Sequence, residues 1–425
     1  MKQETRYIDT ELAVIGTGLA GIAAAIFALN RGISCTLTGN TGALAYTTGY
    51  LDLLGFSDSR FISAPWDALG DLAKSCPGHP LAGIAPTKIA EAFTEFTNFI
   101  GSIGVGYSPP GQENLRAITP AGTLKPTLCV PLTMIKGITA LHSKAPCTVF
   151  GFHGLKGFSA HQIAANLKSI WPEIEARTIH FPGHESGELY AEVAARALEV
   201  PQNRILLAEI LKHEGAGSSY LGLPAILGMH NPDEIHADLE RLSGFSIFEI
   251  PTMPPSVPGI RLREIIEQTL PAKGITMIPQ QKIRKIEFHK EKITLSLFDN
   301  YGPIAITART VLLATGRFLS GGLEAHFDHI SEPLIHLPVH QPPSREKWYQ
   351  EEYLDSRGHE IHLAGIETDG SFRPLKNDGT VYDKRLFAAG IVLAHQDWIR
   401  QRCGAGVAIA TASAAVDAII EHLAQ

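Results

Sequence analysis

The chain has 425 residues, of which 44% are hydrophobic and 19% are charged, a composition typical of a globular protein with one large domain and an insertion, or with two domains. The formal net charge of −7 and the pI of about 6.2 imply no basic face, and they therefore disfavour a nucleic-acid partner. No signal-peptide core and no run of about 20 apolar residues is visible, which predicts a cytosolic chain with no membrane span of its own.

The first predicted element is a strand, ELAVI at 11–15, which runs into the glycine-rich turn 16–21. A helix of small and apolar residues follows, and then a short strand, ISCTLT at 33–38. This order turns the G-x-G-x-x-G pattern into a credible nucleotide-binding βαβ unit. Gly16 permits the tight turn, Gly18 lets the backbone approach a phosphate, and Gly21 lets the helix approach the strand. The free N–H groups at the helix N-terminus would face that phosphate.

Further along the chain, an amphipathic helix is predicted at 87–103 and strands are predicted within 115–130. From about 148 the pattern changes, and we interpret 148–250 as an inserted substrate or cap region. PTMPPSVPGIRL at 251–262 holds four prolines, which predict that no regular helix forms there. A helix is expected over 263–274, followed by strands that end in TVLLATG. The segments 1–147 and 251–425 would then be the two parts of one nucleotide-binding domain.

The five cysteines, Cys35, Cys76, Cys129, Cys147 and Cys403, are scattered and include no Cys-x-x-Cys pair. Such a set is poorly suited to disulfides, to zinc and to an iron–sulfur cluster. We therefore predict buried, inert thiols in a reducing compartment, and no metal site.

Three distant pieces together indicate a two-dinucleotide-binding flavoprotein fold, an α/β, Rossmann-like, discontinuous domain with an inserted region. They are the turn 16–21, the strand ending in Thr315 and Gly316, and the C-terminal stretch from LFAAG (386–390) through CGAGVA (403–408). A last helix that opens at Gly404 would direct its N–H groups at the pyrimidine edge of a flavin, and the glycines would allow the ring a close approach. The alternative is a helix that only covers the sheet. The predicted cofactor contacts from these pieces are Gly16, Gly18, Gly21, Thr315, Gly316, Gly390, Gly404 and Gly406.

The chain resembles the B-subunit family of the anaerobic glycerol-3-phosphate dehydrogenases, relatives of the fumarate reductase and succinate dehydrogenase flavoproteins. The motifs that carry the resemblance span nearly the whole chain: TTGYLDLL (47–54), TPAGTL (119–124), PTMPPSVPGIRL (251–262), LLATGRFLSGGL (312–323), TDGSFRP (368–374), LFAAG (386–390) and CGAGVA (403–408). The bulky run 391–398 departs from a family that tends to be glycine-rich after LFAxG.

The resemblance implies a quinone-linked dehydrogenase subunit (EC 1.1.5.3 type) that oxidises sn-glycerol 3-phosphate to dihydroxyacetone phosphate in anaerobic respiration. Electrons would pass to menaquinone, and then to fumarate or nitrate. The implied partners are an FAD-bearing catalytic A subunit and an iron–sulfur C subunit, which holds the complex at the cytoplasmic face of the inner membrane. The alternative is an assembly or electron-relay subunit that has this fold but no substrate chemistry of its own.

The resemblance also implies FMN as the cofactor, with FAD as the alternative. A unit that binds an adenine dinucleotide usually ends its second strand with an acidic residue, which holds the ribose. Thr38, Gly39 and Asn40 supply no carboxylate, which favours a mononucleotide, although backbone atoms can replace the acid.

In this fold the loop after the second strand passes the phosphate and ribityl arm of the flavin. Thr47 and Thr48 are therefore candidate hydroxyl donors, and Gly49 would let the backbone close on the ring. For Asp52 two roles stay open, acceptance from a ribityl hydroxyl or capping of the next helix.

Three residues are candidates for substrate chemistry. Arg261, after a rigid proline-rich turn, and Arg373, in Phe-Arg-Pro, carry guanidinium groups suited to a phosphate or carboxylate. His395 is a candidate general base, because imidazole titrates near neutral pH. For each residue the alternative is a structural role.

Overall fold

The computed structural model describes residues 4–39, 44–57 and 59–425. The helices are, in chain order, α1 (Leu19–Asn30), α2 (Pro65–Ser75), α3 (Pro86–Ser102), α4 (Leu132–Ser143), α5 (Ala160–Leu167), α6 (Ala191–Leu198), α7 (Pro201–Glu214), α8 (Pro232–Ser243), α9 (Val257–Ala272), α10 (Trp398–Gln401) and α11 (Gly404–Leu423). The strands are β1 (Arg6–Ile15), β2 (Cys35–Gly39), β3 (Phe56–Ser57), β4 (Arg60–Phe61), β5 (Leu115–Ile118), β6 (Leu124–Thr127), β7 (Cys147–Phe152), β8 (Ile174–Ile179), β9 (Tyr220–Pro224), β10 (Ser246–Ile250), β11 (Thr276–Pro279), β12 (Lys285–Phe288), β13 (Ile293–Asp299), β14 (Gly302–Leu313), β15 (Glu324–Ala325), β16 (Ile330–Ser331) and β17 (Leu386–Ala388).

The chain divides into two compact units. Unit 1 comprises residues 1–43, 52–96 and 267–425, and unit 2 comprises residues 44–51 and 97–266. The stretch 148–250, for which we predicted an inserted region, lies within unit 2, which extends beyond it in both directions.

Unit 1 is built on a seven-stranded sheet in the order β11-β2-β1-β14-β13-β12, in which β17 also pairs with β14. β11, β2, β1, β14 and β17 run parallel, whereas β12 and β13 are antiparallel to their neighbours. The carboxyl half of β1 and all of β2 are buried, as expected of parallel strands covered on both faces. The helices α1 and α11 pack against each other, and both contain buried small side chains, among them Ala23, Ala24 and Ala412.

Unit 2 contains a four-stranded parallel sheet in the order β10-β9-β7-β8. The helices α4 and α8 pack on β10, and α5 packs on β7 and β8. Phe150, Trp171 and Phe248 are fully buried in this core. Burial of each such large apolar side chain contributes about 1.5–3 kcal/mol to the stability of the unit.

The structure confirms one predicted helix and corrects one prediction that no helix forms. The amphipathic helix predicted at 87–103 is confirmed as α3. The expectation that 251–262 excludes a regular helix is wrong from Val257 onward, because α9 begins there and contains Pro258 and Arg261. Pro258 lies in the first turn of α9, where a missing N–H group breaks no intrahelical hydrogen bond.

All five cysteines are free, and all except the half-buried Cys76 are buried. Burial raises the pKa of Cys35 and of Cys129 to about 12, so these thiols stay protonated at neutral pH. This agrees with the predicted inert thiols.

Candidate functional site

The glycine-rich turn after β1 is packed tightly at two of its three predicted positions. Gly16 has a φ of 121°, and a Cβ added there would lie 2.1 Å from the carbonyl oxygen of Ala314. A Cβ at Gly21 would lie 1.7 Å from the carbonyl oxygen of Gly16, so any side chain would push α1 away from the turn. A Cβ at Gly18 meets no atom within 4 Å. Gly18 is therefore the position in this turn where a ligand phosphate has room to approach the backbone.

The N-terminus of α1 also suits an anion. Gly18 is its N-cap residue and supplies no side-chain cap, and the first turn contains no acidic residue. Two buried hydroxyl oxygens, on Thr17 and Thr315, have no hydrogen-bond partner among the described residues. Thr17 belongs to the turn, and Thr315 N lies 3.1 Å from the position of a Cβ at Gly16, which places both threonines beside it. Unsatisfied buried hydroxyls and an uncapped helix start fit a polar, phosphate-bearing cofactor.

Gly316 and Gly390, both predicted to contact the cofactor, are close-packed positions in unit 1. A Cβ at Gly316 would lie 2.3 Å from Ser320 Oγ, and a Cβ at Gly390 would lie 2.6 Å from the Cβ of Ala20 in α1. The N–H group of Gly390 donates a hydrogen bond of 2.8 Å to Thr411 Oγ1 of α11. Gly390 thus brings the segment after β17 against both helices.

The first turn of α11 is capped by Asp52. Asp52 Oδ1 accepts from the N–H group of Ala405 at 2.9 Å, and the carbonyl oxygen of Asp52 accepts from the N–H group of Gly406 at 2.6 Å. A Cβ at Gly406 would lie 2.7 Å from the carbonyl oxygen of Leu53. Asp52 therefore caps a helix, but that helix is the distant α11 and not the next helix in the chain, which was the expectation.

The space beside Gly406 is filled by the segment 52–53. We expected a glycine here to leave room for a flavin ring. In the structure, Gly406 instead leaves room for the chain itself, which passes close by. Gly404 faces the indole of Trp398, whose Cε3 would lie 3.3 Å from a Cβ at residue 404.

Thr47, Thr48 and Gly49 belong to unit 2, whereas the phosphate turn belongs to unit 1. The hydroxyl of Thr47 accepts from the N–H group of Gly49 at 3.2 Å, which closes a local turn. The carbonyl oxygen of Gly49 accepts from the hydroxyl of Tyr107 at 2.8 Å. The hydrogen bonds that these residues make in the structure stabilise the conformation of their own loop.

Arg261 lies at 1% exposure inside unit 2. Its guanidinium donates to both carboxylate oxygens of Glu249, at 3.1 and 3.2 Å, and to the carbonyl oxygens of Leu227 and Gly228. Desolvation by burial raises the pKa of Glu249, but Arg261 and the other donors outweigh it and hold the pKa below its ordinary value. We infer that the pair is a structural salt bridge, since its hydrogen-bonding groups are directed at each other and at the backbone.

Arg373 lies in unit 1, where Nε and Nη2 contact Asp369 Oδ2 at 2.8 and 2.6 Å. Its side chain is 34% exposed, so a solvent-borne anion can reach it. The ion pair with Asp369 partly neutralises the charge that such an anion would use.

His395, the predicted general base, is grouped with two residues that the sequence did not single out. Its Nε2 lies 2.8 Å from Glu367 Oε1, and its ring lies 4.1 Å from the ring of His340, centroid to centroid. Burial lowers the pKa of His340, and the nearby His395 lowers it further. The spacing of these three residues in the sequence follows no familiar motif, so only the fold reveals the group.

Arg317 is a third residue that the sequence analysis did not single out, although it lies within the motif LLATGRFLSGGL. It follows Gly316 directly and is 6% exposed. Its guanidinium donates to the carbonyl oxygens of Ile391, Leu393 and Gln396, at 2.6, 3.0 and 3.1 Å, and also to that of His362. Burial lowers the pKa of Arg317 to about 10, so the group is still charged at neutral pH. These hydrogen bonds hold the segment that carries His395 next to the end of β14.

Comparison with known proteins places this arrangement in a family. Residues 11–407 match the family model described as an FAD binding domain. The B subunit of the anaerobic glycerol-3-phosphate dehydrogenase of Yersinia pseudotuberculosis is 30% identical over 97% of this chain and 99% of the relative. The protein of the same name from Vibrio cholerae is 30% identical over 98% of this chain and 97% of the relative.

The chain belongs to the B-subunit family of the anaerobic glycerol-3-phosphate dehydrogenases. The resemblance seen in the sequence motifs is thereby confirmed, and so is the α/β flavoprotein fold. Among solved structures, the chain is similar to 3-ketosteroid Δ1-dehydrogenase from Sterolibacterium denitrificans, at 10% identity and a TM-score of 0.45 over 97% of this chain and 100% of the other. It is also similar to the FrdA chain of E. coli quinol fumarate reductase, at 11% identity and a TM-score of 0.42 over 99% of this chain and 71% of the other.

The family match supports a flavin, and its description indicates FAD, so FMN as the first choice is not supported. FMN was implied by the resemblance, with the missing carboxylate after β2 as additional support. Gly39, at the end of β2, has a φ of 156°, and a Cβ there would lie 3.0 Å from Thr17 N, so backbone groups crowd this edge of the turn. Asn40, the next residue, lies outside the described residues. Backbone atoms can hold a ribose where a carboxylate is missing, so its absence does not discriminate between the two flavins.

Among the described helices, α11 is the one long and apolar enough to cross a membrane by length and composition, and 61% of its apolar window is buried inside the structure. A core helix of a soluble domain passes the same criterion. The contacts of α11 with α1 and with Asp52 give it that core position in unit 1.

Proposed function

We propose that the chain is the FAD-binding subunit of a respiratory glycerol-3-phosphate dehydrogenase that oxidises sn-glycerol 3-phosphate to dihydroxyacetone phosphate. The observation that carries the proposal is the end-to-end likeness to relatives named for this activity, over 97% of this chain and 99% of the relative. The open position at Gly18 and the uncapped start of α1 support a bound flavin.

Different groups in and beside the phosphate turn would bind different parts of the flavin cofactor. The N–H groups at the start of α1 would bind its phosphates, and the hydroxyls of Thr17 and Thr315 would donate hydrogen bonds to it. The bound flavin supplies a hydride acceptor for C2 of the substrate. Gly16 and Gly21 contribute by keeping the turn, the end of β14 and α1 in close contact.

Among the three residues predicted to act on substrate, His395 keeps a role in proton transfer. Its side chain is 28% exposed, and Glu367 Oε1 accepts from Nε2–H, so the ring is held with Nδ1 as the basic nitrogen while water and small molecules can reach the side chain. We propose His395 as the acceptor of the C2 hydroxyl proton and Arg373 as a partner for the substrate phosphate. Arg261 is assigned to the scaffold.

The complex is part of the proposal. The relatives are named as subunits, which supports a multi-subunit dehydrogenase in which this chain would join an FAD-bearing A subunit and an iron–sulfur, membrane-anchoring C subunit. Electrons would pass through them to quinone at the cytoplasmic face of the inner membrane, and then to fumarate or nitrate.

A second candidate is an electron-relay or assembly subunit that binds flavin without oxidising substrate itself. The observation that favours it is that the guanidinium groups of Arg261 and Arg373 are both paired with carboxylates. A phosphate substrate would have to displace Asp369 from Arg373.

The test is a Gly18→Val variant compared with Gly370→Val. Gly18 has φ −75° and ψ −178°, which valine adopts readily, and an added Cβ meets no atom within 4 Å at either glycine. The fold should tolerate both changes, whereas valine at Gly18 fills the phosphate approach. We expect the flavin content, measured by absorbance and chromatography after denaturation, to fall at least tenfold only in Gly18→Val.

Anaerobic titration with glycerol 3-phosphate separates the two functions. Flavin bleaching in the isolated chain supports substrate oxidation by this chain, and bleaching only with the A subunit present supports the relay. A colourless wild-type chain that takes up neither FAD nor FMN, or a Gly18→Val chain with full flavin content, would contradict the flavin site.

A further inference from the structure

Three potential metal ligands meet in unit 1. His340, Glu367 and His395 each direct one ligand atom to a common point, and these atoms lie within 4.8 Å of one another. His395 Nε2 is 2.8 Å and His340 Nδ1 is 3.7 Å from the same oxygen, Glu367 Oε1. In the part of the chain that the structure describes, this is the one group of three histidine, cysteine or acidic residues with such a spacing.

Backbone pairing holds the three ligands in place. His340 and Gly365 exchange two backbone hydrogen bonds, of 2.8 and 3.0 Å. Ile366 pairs in the same way with the segment 392–394, donating to Val392 and accepting from Ala394. Glu367 follows the second of these bridges directly, and His395 follows Ala394. The three side chains therefore come from three short segments that are hydrogen-bonded side by side, and their spacing does not depend on flexible loops.

His395 adopts a backbone conformation that histidine rarely takes. Its φ is 62°, in the left-handed region, which costs a residue with a Cβ roughly 1–2 kcal/mol. Its N–H group donates to the carbonyl oxygen of Leu363, and its own carbonyl oxygen accepts from the thiol of Cys76. A Cβ at Gly78 would lie 3.0 Å from His395 Cδ2, so the ring rests against the backbone there. The surroundings maintain a strained residue, and the result is a ring aimed at Glu367.

The distances are close to those of a metal centre. A tetrahedral zinc ion with bonds of about 2.0–2.2 Å separates its ligand atoms by about 3.3 Å. The 3.7 Å between His340 Nδ1 and Glu367 Oε1 has to shorten by a few tenths of an ångström, and the 2.8 Å hydrogen bond of His395 has to open by about as much. Side-chain adjustments of this size need no backbone movement.

We propose that His340, Glu367 and His395 form a binding site for one divalent transition-metal ion, of which zinc is the representative. Two imidazole nitrogens and one carboxylate oxygen are the ligand set of open zinc sites, in which water or a substrate oxygen completes the coordination. The exposed fractions of the three side chains, between 28% and 52%, leave that fourth position to solvent. The ion pairs that the structure gives Glu367 are with the two imidazoles, so a metal would replace a hydrogen bond and not a lysine or arginine.

The site is separate in its chemistry from the flavin site, and its assignment does not rest on the proposed function. While His395 Nε2–H donates to Glu367, the lone pair that can accept a proton is on Nδ1. A metal ion at Nε2 would move the ring proton to Nδ1 and so occupy that lone pair. Metal binding and proton acceptance by His395 therefore exclude each other at any one moment.

The experiment is a zinc titration of the full chain after dialysis against a chelator, with a chromophoric competitor to report free Zn²⁺. We expect one Zn²⁺ per wild-type chain with a Kd in the micromolar range or below. His340→Ala and Glu367→Gln should each raise the Kd at least tenfold. Co²⁺ in place of Zn²⁺ should give the visible absorption of a low-coordinate site, and that absorption should disappear in both variants.

The matched control is His326→Ala. His326 likewise lies close to a second imidazole, that of His329, at a centroid distance of 4.5 Å, but this pair is not part of a three-ligand group among the described residues. The control should keep the wild-type Kd. Circular dichroism spectra identical to those of the wild type would show that the variants are folded. Binding only at millimolar zinc, or a Kd that neither His340→Ala nor Glu367→Gln changes, would overturn the proposal.

Discussion

Replacement of Arg261 by methionine separates a structural from a substrate-binding role for this residue. The methionine side chain fills similar space in α9 but leaves Glu249 charged inside unit 2, at 2% exposure. Glu249 keeps two donors, the hydroxyl of Thr133 and the N–H group of Leu227, both at 2.7 Å. The carbonyl oxygen of Gly228, which accepts two hydrogen bonds from the guanidinium, loses both.

The expected cost follows from these contacts. Removal of one partner of a buried ion pair costs about 3–5 kcal/mol, because the other charge is left without compensation. In a domain of this size each kcal/mol shifts Tm by about 2–4 °C, so the unfolding transition of unit 2 should fall by about 6–20 °C. A second change, Glu249→Gln, removes the stranded charge while it keeps a side chain of the same shape. The double variant Arg261→Met with Glu249→Gln should therefore recover about 1–3 kcal/mol of the loss.

Thermal and denaturant unfolding of the full chain, with hydrogen exchange to locate the change in unit 2, provides the measurement. The control is Arg196→Met, in which an arginine at 46% exposure loses its ion pairs with Glu192 and Glu264. Exposed pairs contribute about 0–1 kcal/mol, so its Tm should fall by only a few degrees at most. If Arg261→Met kept the wild-type Tm and instead raised the KM for glycerol 3-phosphate, the structural assignment would be refuted and the substrate-binding prediction restored.

Two further predictions concern unit 1. Asp52→Ala should cost about 0.5–2 kcal/mol of stability, because the first turn of α11 loses its cap. The control is Asp67→Ala, which removes an exposed acid from the first turn of α2 and should cost less. Equal shifts in Tm would contradict the capping role of Asp52. His79 has its pKa lowered from 6.5 to about 4, first by burial, so the unfolded chain takes up the proton before the folded chain does. Stability should therefore be complete above pH 6.5 and fall by up to about 3 kcal/mol as pH drops towards 4, and His79→Gln should remove that part of the slope in denaturant titrations at several pH values.

The parts of the fold that the sequence predicted correctly are those whose signal is local. The βαβ unit around Gly16 and the helix α3 depend on spacing within about twenty residues, which periodicity and glycine placement report directly. The error at α9 has a local cause as well, since Pro258 is compatible with a first helical turn although it would break a later one.

β14 shows how tertiary surroundings alter a local pattern. The hydrophobic pattern predicts PIAITA (303–308) and TVLLATG (310–316) as two successive strands, whereas the structure has one strand from Gly302 to Leu313. Side chains alternate between buried and partly exposed as far as Ala308, where β13 is the neighbour, and are continuously buried from Thr310, where β17 takes its place. A change of neighbour within one strand therefore produced two different hydrophobic patterns.

The candidate site also has parts that the sequence could predict and parts that it could not. The turn at Gly16 and the end of β14 could be placed from sequence, because a parallel sheet brings the carboxyl ends of β1 and β14 to one edge. The contacts of Asp52 with α11, and of His340 with Glu367 and His395, join segments that are remote in sequence and share no motif. The contacts of Arg317 could not be predicted from sequence either, because its partners are backbone carbonyl oxygens, which any residue could supply.

Three of the motifs that carry the family resemblance contain charged side chains that form structural contacts. Asp52 in TTGYLDLL caps α11, Arg261 in PTMPPSVPGIRL pairs with Glu249, and Arg373 in TDGSFRP pairs with Asp369. The motifs shared with many flavoproteins, the glycine turn and the ATG strand end, instead contain the open Gly18 position and the unsatisfied hydroxyl of Thr315. A charged residue in a family-specific motif is therefore a weaker indication of a catalytic role here than its chemistry alone suggests. The cofactor should be sought where the backbone is open and polar groups still lack partners.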